Sequence, residues 1–128
     1  WYYASKYKES KNTSAAKEYS IILRLTEQYL IRAEANTQLE NYQGAREDLN
    51  KIRKRAGLSN SVANTKEEFL QTIIEERRKE LFTEYGHRFF DLKRTNNLDA
   101  VLFAKPGWDT TDRLLPIPES EFIVNPNL

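Results

Sequence analysis

The strongest constraint on the fold is a helical pattern in the middle of the chain. Apolar and small side chains recur there at gaps of three and four residues, which is the period of an α-helix: Tyr42, Ala45, Leu49, Ile52 and Ala56. Gly57 follows as a C-terminal cap, and basic residues crowd the last turn, where the helix dipole favours cations. The pattern predicts a helix that ends close to Gly57.

A second helix is predicted just before it, from Leu25 to Leu39, with Thr26 as its N-cap. Only about two residues, Glu40–Asn41, remain to join the two helices. A link that short forces an antiparallel helical hairpin. In that hairpin the small Ala33 and Ala45 should face each other.

The predicted hairpin is typical of a tetratricopeptide-type unit, in which small residues let two backbones approach and larger ones fill the remaining space. One unit cannot bury both of its faces. It must therefore pack on a third helix or on neighbouring units. The same register places Arg46 off the buried face, so we expect a substitution there to cost little.

A third, longer helix is predicted from Thr65 to about Tyr85. Residues Thr65–Glu68 form a capping box, in which the hydroxyl and the carboxylate reciprocally satisfy free amide donors. Gly86 should stop this helix. A short helix is predicted over His87–Arg94.

Irregular segments are expected at both ends of the chain. The first twenty residues should form an irregular arm that carries Tyr2, Tyr3, Tyr7 and Tyr19. Leu114–Pro118 should be extended, because each proline pushes its predecessor out of helical geometry. The predicted fold class is all-α, with tetratricopeptide-like hairpins in an α-α superhelix, an irregular N-terminal arm and an extended Pro-rich C-terminal tail.

Composition narrows the possible functions. With 20 basic and 19 acidic side chains among 128 residues, the net charge of +1 produces no long-range field to attract nucleic acid or an anionic membrane. The absence of Cys and the single His argue against a disulfide framework and against a Cys- or His-built metal site. We expect no cofactor. The absence of Met leads us to expect a single domain or fragment whose targeting signals lie upstream.

Four glutamates are the first candidates for catalysis: Glu75, Glu76, Glu80 and Glu84. A glycoside hydrolase needs two carboxyl groups that face each other across a sugar. These glutamates instead lie on one predicted helix among basic residues, which favours ion pairs at i,i+4 spacing such as Glu75 with Lys79. We expect them to be structural, and we expect no enzymatic activity.

The other charged candidates also have structural explanations. His87 could act as a general acid or base, but no nucleophile motif lies nearby, so stiffening of a helix junction is favoured. A cluster could bind an anion, yet an ion-pair network explains it better: Arg77, Arg88, Asp91, Lys93 and Arg94. The basic run Lys51–Arg55 is better explained as a solvated helix end than as a nucleic-acid contact.

The short helix should fold back to bury Phe89, Phe90 and Leu92, which would bring Asp91 to an arginine of the third helix. Trp108, in the loop 105–111, could stack against a sugar, as could the N-terminal tyrosines. A loop anchor that packs into the core is the favoured explanation for this tryptophan.

Three stretches, in this order and at these distances, resemble the C-terminal portion of the SusD/RagB family: Arg24–Ala35, Ile74–Arg94 and Leu114–Leu128. Each stretch alone is a weak match, and the three together are specific. The resemblance covers about residues 19–128. It implies an α-superhelix of tetratricopeptide-like hairpins with irregular inserted segments.

The resemblance also implies a role. Proteins of this family are lipid-anchored on the outer face of the outer membrane of Bacteroidetes, above a SusC-like TonB-dependent transporter, and bind glycans or other nutrients for import. The residues with which the family contacts glycans lie mostly upstream of this portion. No ligand-binding residue therefore carries over, and the expected role is that of a scaffold. The alternatives are a helical-repeat adaptor that binds proteins and a fragment of a hydrolase.

Overall fold

The structure, a computed structural model, describes residues 21–114 and 117–125. These residues form helices and no β-strand: α1 (Leu25–Gln38), α2 (Tyr42–Arg55), α3 (Lys66–Glu80), α4 (His87–Arg94), α5 (Leu98–Leu102), a 3-10 helix (Thr110–Arg113) and α6 (Glu119–Val124). Among them, no helix is both long enough and apolar enough to cross a bilayer. The all-α prediction is confirmed. The predicted arm with Tyr2, Tyr3, Tyr7 and Tyr19 lies outside the described residues.

The chain divides into two compact units, residues 1–88 and residues 89–128. In the first unit, α1 packs against both α2 and α3. The side chains at their contact are buried: Leu30, Ala33, Ala45, Leu49, Ile52, Ala63, Phe69 and Ile73. Ala33 and Ala45 are both 0% exposed, so the predicted helical hairpin and its small-residue contact are confirmed. Its likeness to a tetratricopeptide unit stays a prediction.

The link between α1 and α2 is held by local hydrogen bonds. Glu40 has a φ of 61°, which turns the chain back on itself. The Asn41 N–H donates to the Asn36 carbonyl at 2.8 Å, and the Asn41 side chain accepts the Gly44 N–H at 3.2 Å. A Cβ on Gly44 would lie 2.7 Å from Asn41 Nδ2 and 3.0 Å from Asn36 Nδ2. A larger residue at Gly44 would therefore displace this pair of amides.

The prediction of Thr26 as the N-cap of α1 is wrong. Arg24 occupies the N-cap position with an extended backbone (φ −120°, ψ 129°) and makes no side-chain capping bond. Its guanidinium instead reaches the end of α3, where it binds Glu80 and Glu84. Local capping preference favoured the threonine, but this long-range ion contact fixes where the helix begins.

The predicted capping box at the start of α3 is confirmed. Thr65 Oγ1 accepts the Glu68 N–H at 3.2 Å, and Glu68 Oε2 accepts the Thr65 N–H at 3.2 Å. The same carboxylate also accepts the Asn64 N–H at 2.7 Å. These backbone hydrogen bonds, above all the one from Asn64, lower the pKa of Glu68 below its ordinary value, because they favour the ionised carboxylate.

The end of α3 lies at Glu80, more than one turn before the predicted end near Tyr85. The following residues form a tight turn in which Thr83 and Tyr85 have φ angles of 61° and 38°. A positive φ is unfavourable for a β-branched threonine, so other contacts must hold the turn in place. Arg24 supplies them, since it binds the Glu80 carbonyl at one end and the Glu84 carboxylate at the other.

Helix α4 begins and ends at the predicted residues, His87 and Arg94, and its residues from Phe89 onward belong to the second unit. Leu92 is buried, but Phe90 is 55% exposed, so the predicted burial of Phe90 is wrong. Phe90 and Leu92 are two positions apart and therefore lie on nearly opposite sides of a helix. The Phe90 ring makes an edge contact with Phe89, with ring centroids 5.8 Å apart.

The predicted extended backbone is confirmed at both ends of the segment Leu114–Pro118, but a helix that was not predicted follows it. Leu114 and Pro118 have extended backbones, with ψ angles of 135° and 138°, but α6 follows at Glu119. Pro118 occupies the N-cap position, where its missing N–H removes no hydrogen bond from the helix. Glu119 and Glu121 place negative charge in the first turn, which favours a helix start. Residues 115–116 and 126–128 lie outside the described part of the chain.

Arg46 is not the neutral position that the sequence register predicts. Its Nη2 donates to the Ala63 carbonyl at 2.8 Å. Its guanidinium also lies over the Phe69 ring, 5.4 Å from the centroid, and that ring stacks on Tyr42. The arginine stem and fork therefore cover the edge of the core, and a substitution there would disturb the packing.

We expect Ala45→Trp to lower the free energy of unfolding by about 1–3 kcal/mol or more, because an indole at a fully buried position overpacks the hairpin. Gln43→Trp is the matched control, since Gln43 is exposed on the same helix and bonds to Glu47 one turn away. Urea denaturation of both variants measures the difference. Equal losses would show that the helix faces have been assigned wrongly.

The lowered pKa of Glu68 predicts a pH-dependent helix cap. The cap is fully stabilising above the unfolded-state pKa, about 4.3, and loses this contribution as the pH falls through the lower folded-state pKa. Glu68→Gln keeps an oxygen acceptor and removes the charge. In urea denaturation, the native protein should be more stable than this variant at pH 7, and the advantage should shrink below the unfolded-state pKa and vanish below the lowered folded-state pKa. A difference that stays constant down to pH 2 would contradict the role of the ionised carboxylate.

Candidate functional site

Two of the candidate glutamates of α3, Glu76 and Glu80, are bound by arginines from other parts of the first unit. Glu76 is 4% exposed and pairs with Arg53 of α2. Glu80 pairs with Arg24 and, at 2.6 Å, with Arg55. These ion pairs connect neighbouring elements rather than successive turns of α3.

Arg24 lies at the centre of this network. Its Nη1 donates to the Glu80 carbonyl at 2.7 Å and to Glu84 Oε1 at 2.8 Å, while Nη2 pairs with the Glu80 carboxylate. The Glu84 side chain is 7% exposed and that of Arg24 is 21% exposed. Charge-assisted hydrogen bonds with so little solvent contact are among the stronger polar interactions in proteins. They fix the turn that follows α3.

The ion pair predicted between Glu75 and Lys79 is not formed, and Glu75 has another partner. Glu75 Oε1 accepts a hydrogen bond from Gln71 Nε2 at 2.8 Å, one turn earlier in α3. Glu76 and Glu84 are buried and bonded to arginines, so neither carboxylate is open to a glycosidic oxygen. The geometry is that of a scaffold, in which carboxylates join helices, and it differs from the open pair of carboxyls that glycoside hydrolysis requires.

His87 lies beside a charged group of α1. Its Nδ1 is 3.6 Å from Glu27 Oε1, and the same oxygen accepts a hydrogen bond from Arg77 Nη2 at 3.3 Å. The Glu27 side chain is 15% exposed. Glu27 therefore joins α1 to α3 and to the first residue of α4, which agrees with the structural role expected for His87.

The proposed anion-binding cluster is divided among several contacts. Arg94 Nε donates to Asp91 Oδ1 at 2.9 Å, one turn along α4. The Lys93 ammonium lies 6.0 Å from the centroid of the Phe89 ring, a cation–π contact. The predicted bond between Asp91 and an arginine of the long helix stays a prediction.

The prediction of a solvated helix end for the basic run of α2 is confirmed for Lys51, Lys54 and Arg55, which are exposed, and is wrong for Arg53, whose side chain is 19% exposed. Arg53 Nε donates to the Ser59 carbonyl at 2.7 Å, in addition to its pair with Glu76. Arg55 pairs with Glu80. The third helix supplies the partner carboxylates, and the local sequence of α2 contains no sign of them. Lys54 is exposed, as predicted.

A second carboxylate network, which the sequence analysis missed, lies between α1 and α2. Asp48 is 2% exposed and accepts two hydrogen bonds from Arg32, both 2.7 Å long. The hydrogen bond and the negative charge of Asp48 raise the pKa of Arg32 above its ordinary value. Arg32 and Lys51 both lie over the Tyr29 ring, 5.4 Å and 4.9 Å from its centroid. This network links the two helices of the hairpin.

Trp108 is half-buried in the second unit. Its indole Nε1 donates to Asp99 Oδ1 at 3.1 Å, and Asp99 also pairs with Arg113. The loop is therefore tied to α5 by the polar edge of the indole ring. This geometry favours the loop-anchor explanation over a freely exposed sugar platform.

Two grooves lie along the outer surface of α3. The first has a volume of about 550 Å³ and is lined by Val62, Ala63, Asn64, Glu67, Glu68, Gln71 and Thr72. The second has a volume of about 510 Å³ and is lined by Glu75, Arg78, Lys79 and Phe82. The sequence analysis weighed only Glu75 as a site residue. The sequence signal for Arg78, Lys79 and Phe82 is that they follow Glu75 by three, four and seven residues, which places all four on one side of a helix.

Acidic and histidine side chains of the described residues do not gather into a group that could hold a metal ion. The chemistry available at the surface of α3 is therefore that of cations, an amide, carboxylates and one aromatic ring. Such groups bind a ligand by hydrogen bonding, charge and stacking.

We expect Arg24→Ala to destabilise the protein by about 2–3 kcal/mol, because it takes a guanidinium from two carboxylates of low exposure. Arg55→Ala is the control, since its side chain is 56% exposed and it pairs with the same Glu80. That control should cost less than about 1 kcal/mol. Urea denaturation would measure the free energy of unfolding of both variants. Equal losses would show that Arg24 is not the centre of the network.

The sequence model of the SusD family (SusD_RagB) matches residues 1–128. No curated protein and no solved structure gives a significant match. The match covers every residue of the chain, including the N-terminal arm that lay outside the resemblance noted from the motifs. The helical architecture of the described residues agrees with it. The chain therefore belongs to the SusD family.

Proposed function

We propose that this chain is the C-terminal portion of a protein that binds nutrients, and above all glycans, at the bacterial outer membrane. The observation that carries the proposal is the match of the SusD family model to residues 1–128. Proteins of the SusD family act with nutrient ligands and are in general binding proteins without catalysis. A passive binding role requires no general acid, nucleophile or metal.

The engagement of the carboxylates supports the non-catalytic part of this proposal. Glu76 and Glu84 are buried, and Glu80 is held from two sides by Arg24 and Arg55. A hydrolase would need one such carboxyl to deliver a proton to a glycosidic oxygen. Here these carboxylates hold the helices together, and they have no access to a substrate.

Within the larger protein, this portion acts mainly as a scaffold that delivers bound ligand to a SusC-like TonB-dependent transporter. A lipid anchor on an upstream segment would hold the protein on the extracellular face of the outer membrane. The ion-pair networks around Arg24 and Asp48 support the scaffold role, because they make the three-helix unit rigid at the points where its helices meet.

The test is affinity electrophoresis of the intact protein through gels that contain single polysaccharides, together with an assay of reducing ends released from the same polysaccharides. We expect retardation in at least one glycan and no release of reducing ends. Boiled protein controls for nonspecific retardation.

Release of reducing ends that is lost in a folded Glu80→Gln variant would overturn the non-catalytic role. Retention on immobilised unstructured peptides, with no retardation by any glycan, would favour the helical-repeat adaptor instead. A glycan that retards the protein and stays intact supports the proposal.

A further inference from the structure

The second groove lies on one stripe of α3 and the turn that follows it. Its lining residues are spaced at i, i+3, i+4 and i+7, which places them on the same side of a helix: Glu75, Arg78, Lys79 and Phe82. The core-facing residues Phe69 and Ile73 are 0% exposed. The groove therefore belongs to the solvent face of α3 and takes no part in packing the three helices.

The two cations of this groove differ from the arginines around them. Arg53, Arg55 and Arg77 all form ion pairs with carboxylates of the first unit. Within residues 21–114 and 117–125, neither the Arg78 nor the Lys79 side chain takes part in an ion pair or a hydrogen bond, and both residues are exposed. The groove thus presents two available cations against the single carboxylate of Glu75.

The aromatic member of the groove is held outward by a strained turn. Phe82 is 57% exposed. The next residue, Thr83, has a φ of 61°, and Arg24 grips the turn through Glu80 and Glu84. A β-branched residue in this conformation persists only where the surrounding structure enforces it, and such strain often accompanies ligand sites. The contacts of Arg24 fix the turn that carries Phe82, and this residue lines the same groove as the two cations.

We propose that this groove binds a pyranose that carries an acidic group, either a carboxylate or a sulfate. The Phe82 ring packs against the apolar face of the sugar, and Arg78 and Lys79 bind the acidic group. Glu75 accepts hydrogen bonds from ring hydroxyls, because Gln71 donates to only one of its oxygens. An acidic peptide has no such flat apolar face to pack against the Phe82 ring. The inference rests on the proposed glycan-binding function and narrows its ligand class.

The experiment measures binding of the intact protein to three galactose-based polymers by isothermal titration calorimetry. Polygalacturonate carries carboxylates, carrageenan carries sulfates, and a neutral galactan carries neither. We expect at least one acidic polymer to bind at least tenfold more tightly than the galactan. Which of the two binds identifies the acidic group. Poly-glutamate serves as the acidic-peptide probe.

The variant Arg78→Gln/Lys79→Gln should weaken binding of the acidic polymer roughly tenfold or more, since two charge-assisted contacts are lost. Phe82→Ala should weaken it as well. The matched control is Lys54→Gln/Lys105→Gln, which removes the same charge from exposed positions outside the groove. This control should leave the affinity within about twofold, because distant surface charges are screened. Circular dichroism confirms that each variant is folded.

Three results would overturn the inference. The first is an equal loss of affinity in the groove and control variants. The second is that the neutral galactan binds most tightly. The third is that poly-glutamate binds as tightly as the acidic polymer and that this binding is lost in the groove variants. If the galactan binds tightly and neither acidic polymer binds, the ligand carries no acidic group. The proposed glycan-binding function would then still hold. Failure to bind any of the three polymers would remove this inference, whereas the proposed glycan-binding function is decided by the electrophoresis described above.

Discussion

The structure of residues 21–88 depends on the guanidinium of Arg24. One planar group binds the Glu80 carbonyl, the Glu80 carboxylate and the Glu84 carboxylate, and thereby joins the start of α1 to the end of α3. It ends α3 early and holds Thr83 in a conformation that a β-branched residue otherwise avoids. Lysine could not replace it, because a compact ammonium lacks the rigid fork that reaches several acceptors at once.

The apolar core and the ion pairs have different tasks in this unit. The core brings α1, α2 and α3 together through small residues such as Ala33 and Ala45, but hydrophobic contact is not directional. The ion pairs of Arg24, Arg53 and Asp48 lie at the edges of that core and fix the positions of the helices. Among the described residues of α3, the exposed side chains of Arg78 and Lys79 differ from these paired groups.

This division separates the scaffold from the surface that we propose meets a ligand. Three of the catalytic candidates, Glu76, Glu80 and Glu84, are bound by arginines, and members of the SusD family are in general binding proteins without catalysis. Arg78 and Lys79, by contrast, are exposed beside the Phe82 ring. The paired and the exposed residues differ in the side of the chain on which they lie, because all of them occupy the same few turns of α3 and the turn that follows it.

Local patterns in the sequence were sufficient for the helices, for the hairpin around Ala45 and for the capping box at Thr65, because each depends on neighbours within a few residues. The family motifs pointed to a binding protein as well, and so did the position of the candidate glutamates on one helix among basic residues. Tertiary structure alone decided the early end of α3, the partners of its glutamates, the contacts of Arg46 and the groove beside Phe82. Each of these depends on a contact between segments far apart in the chain, such as Arg24 with Glu84, and helical periodicity contains no information about such distances.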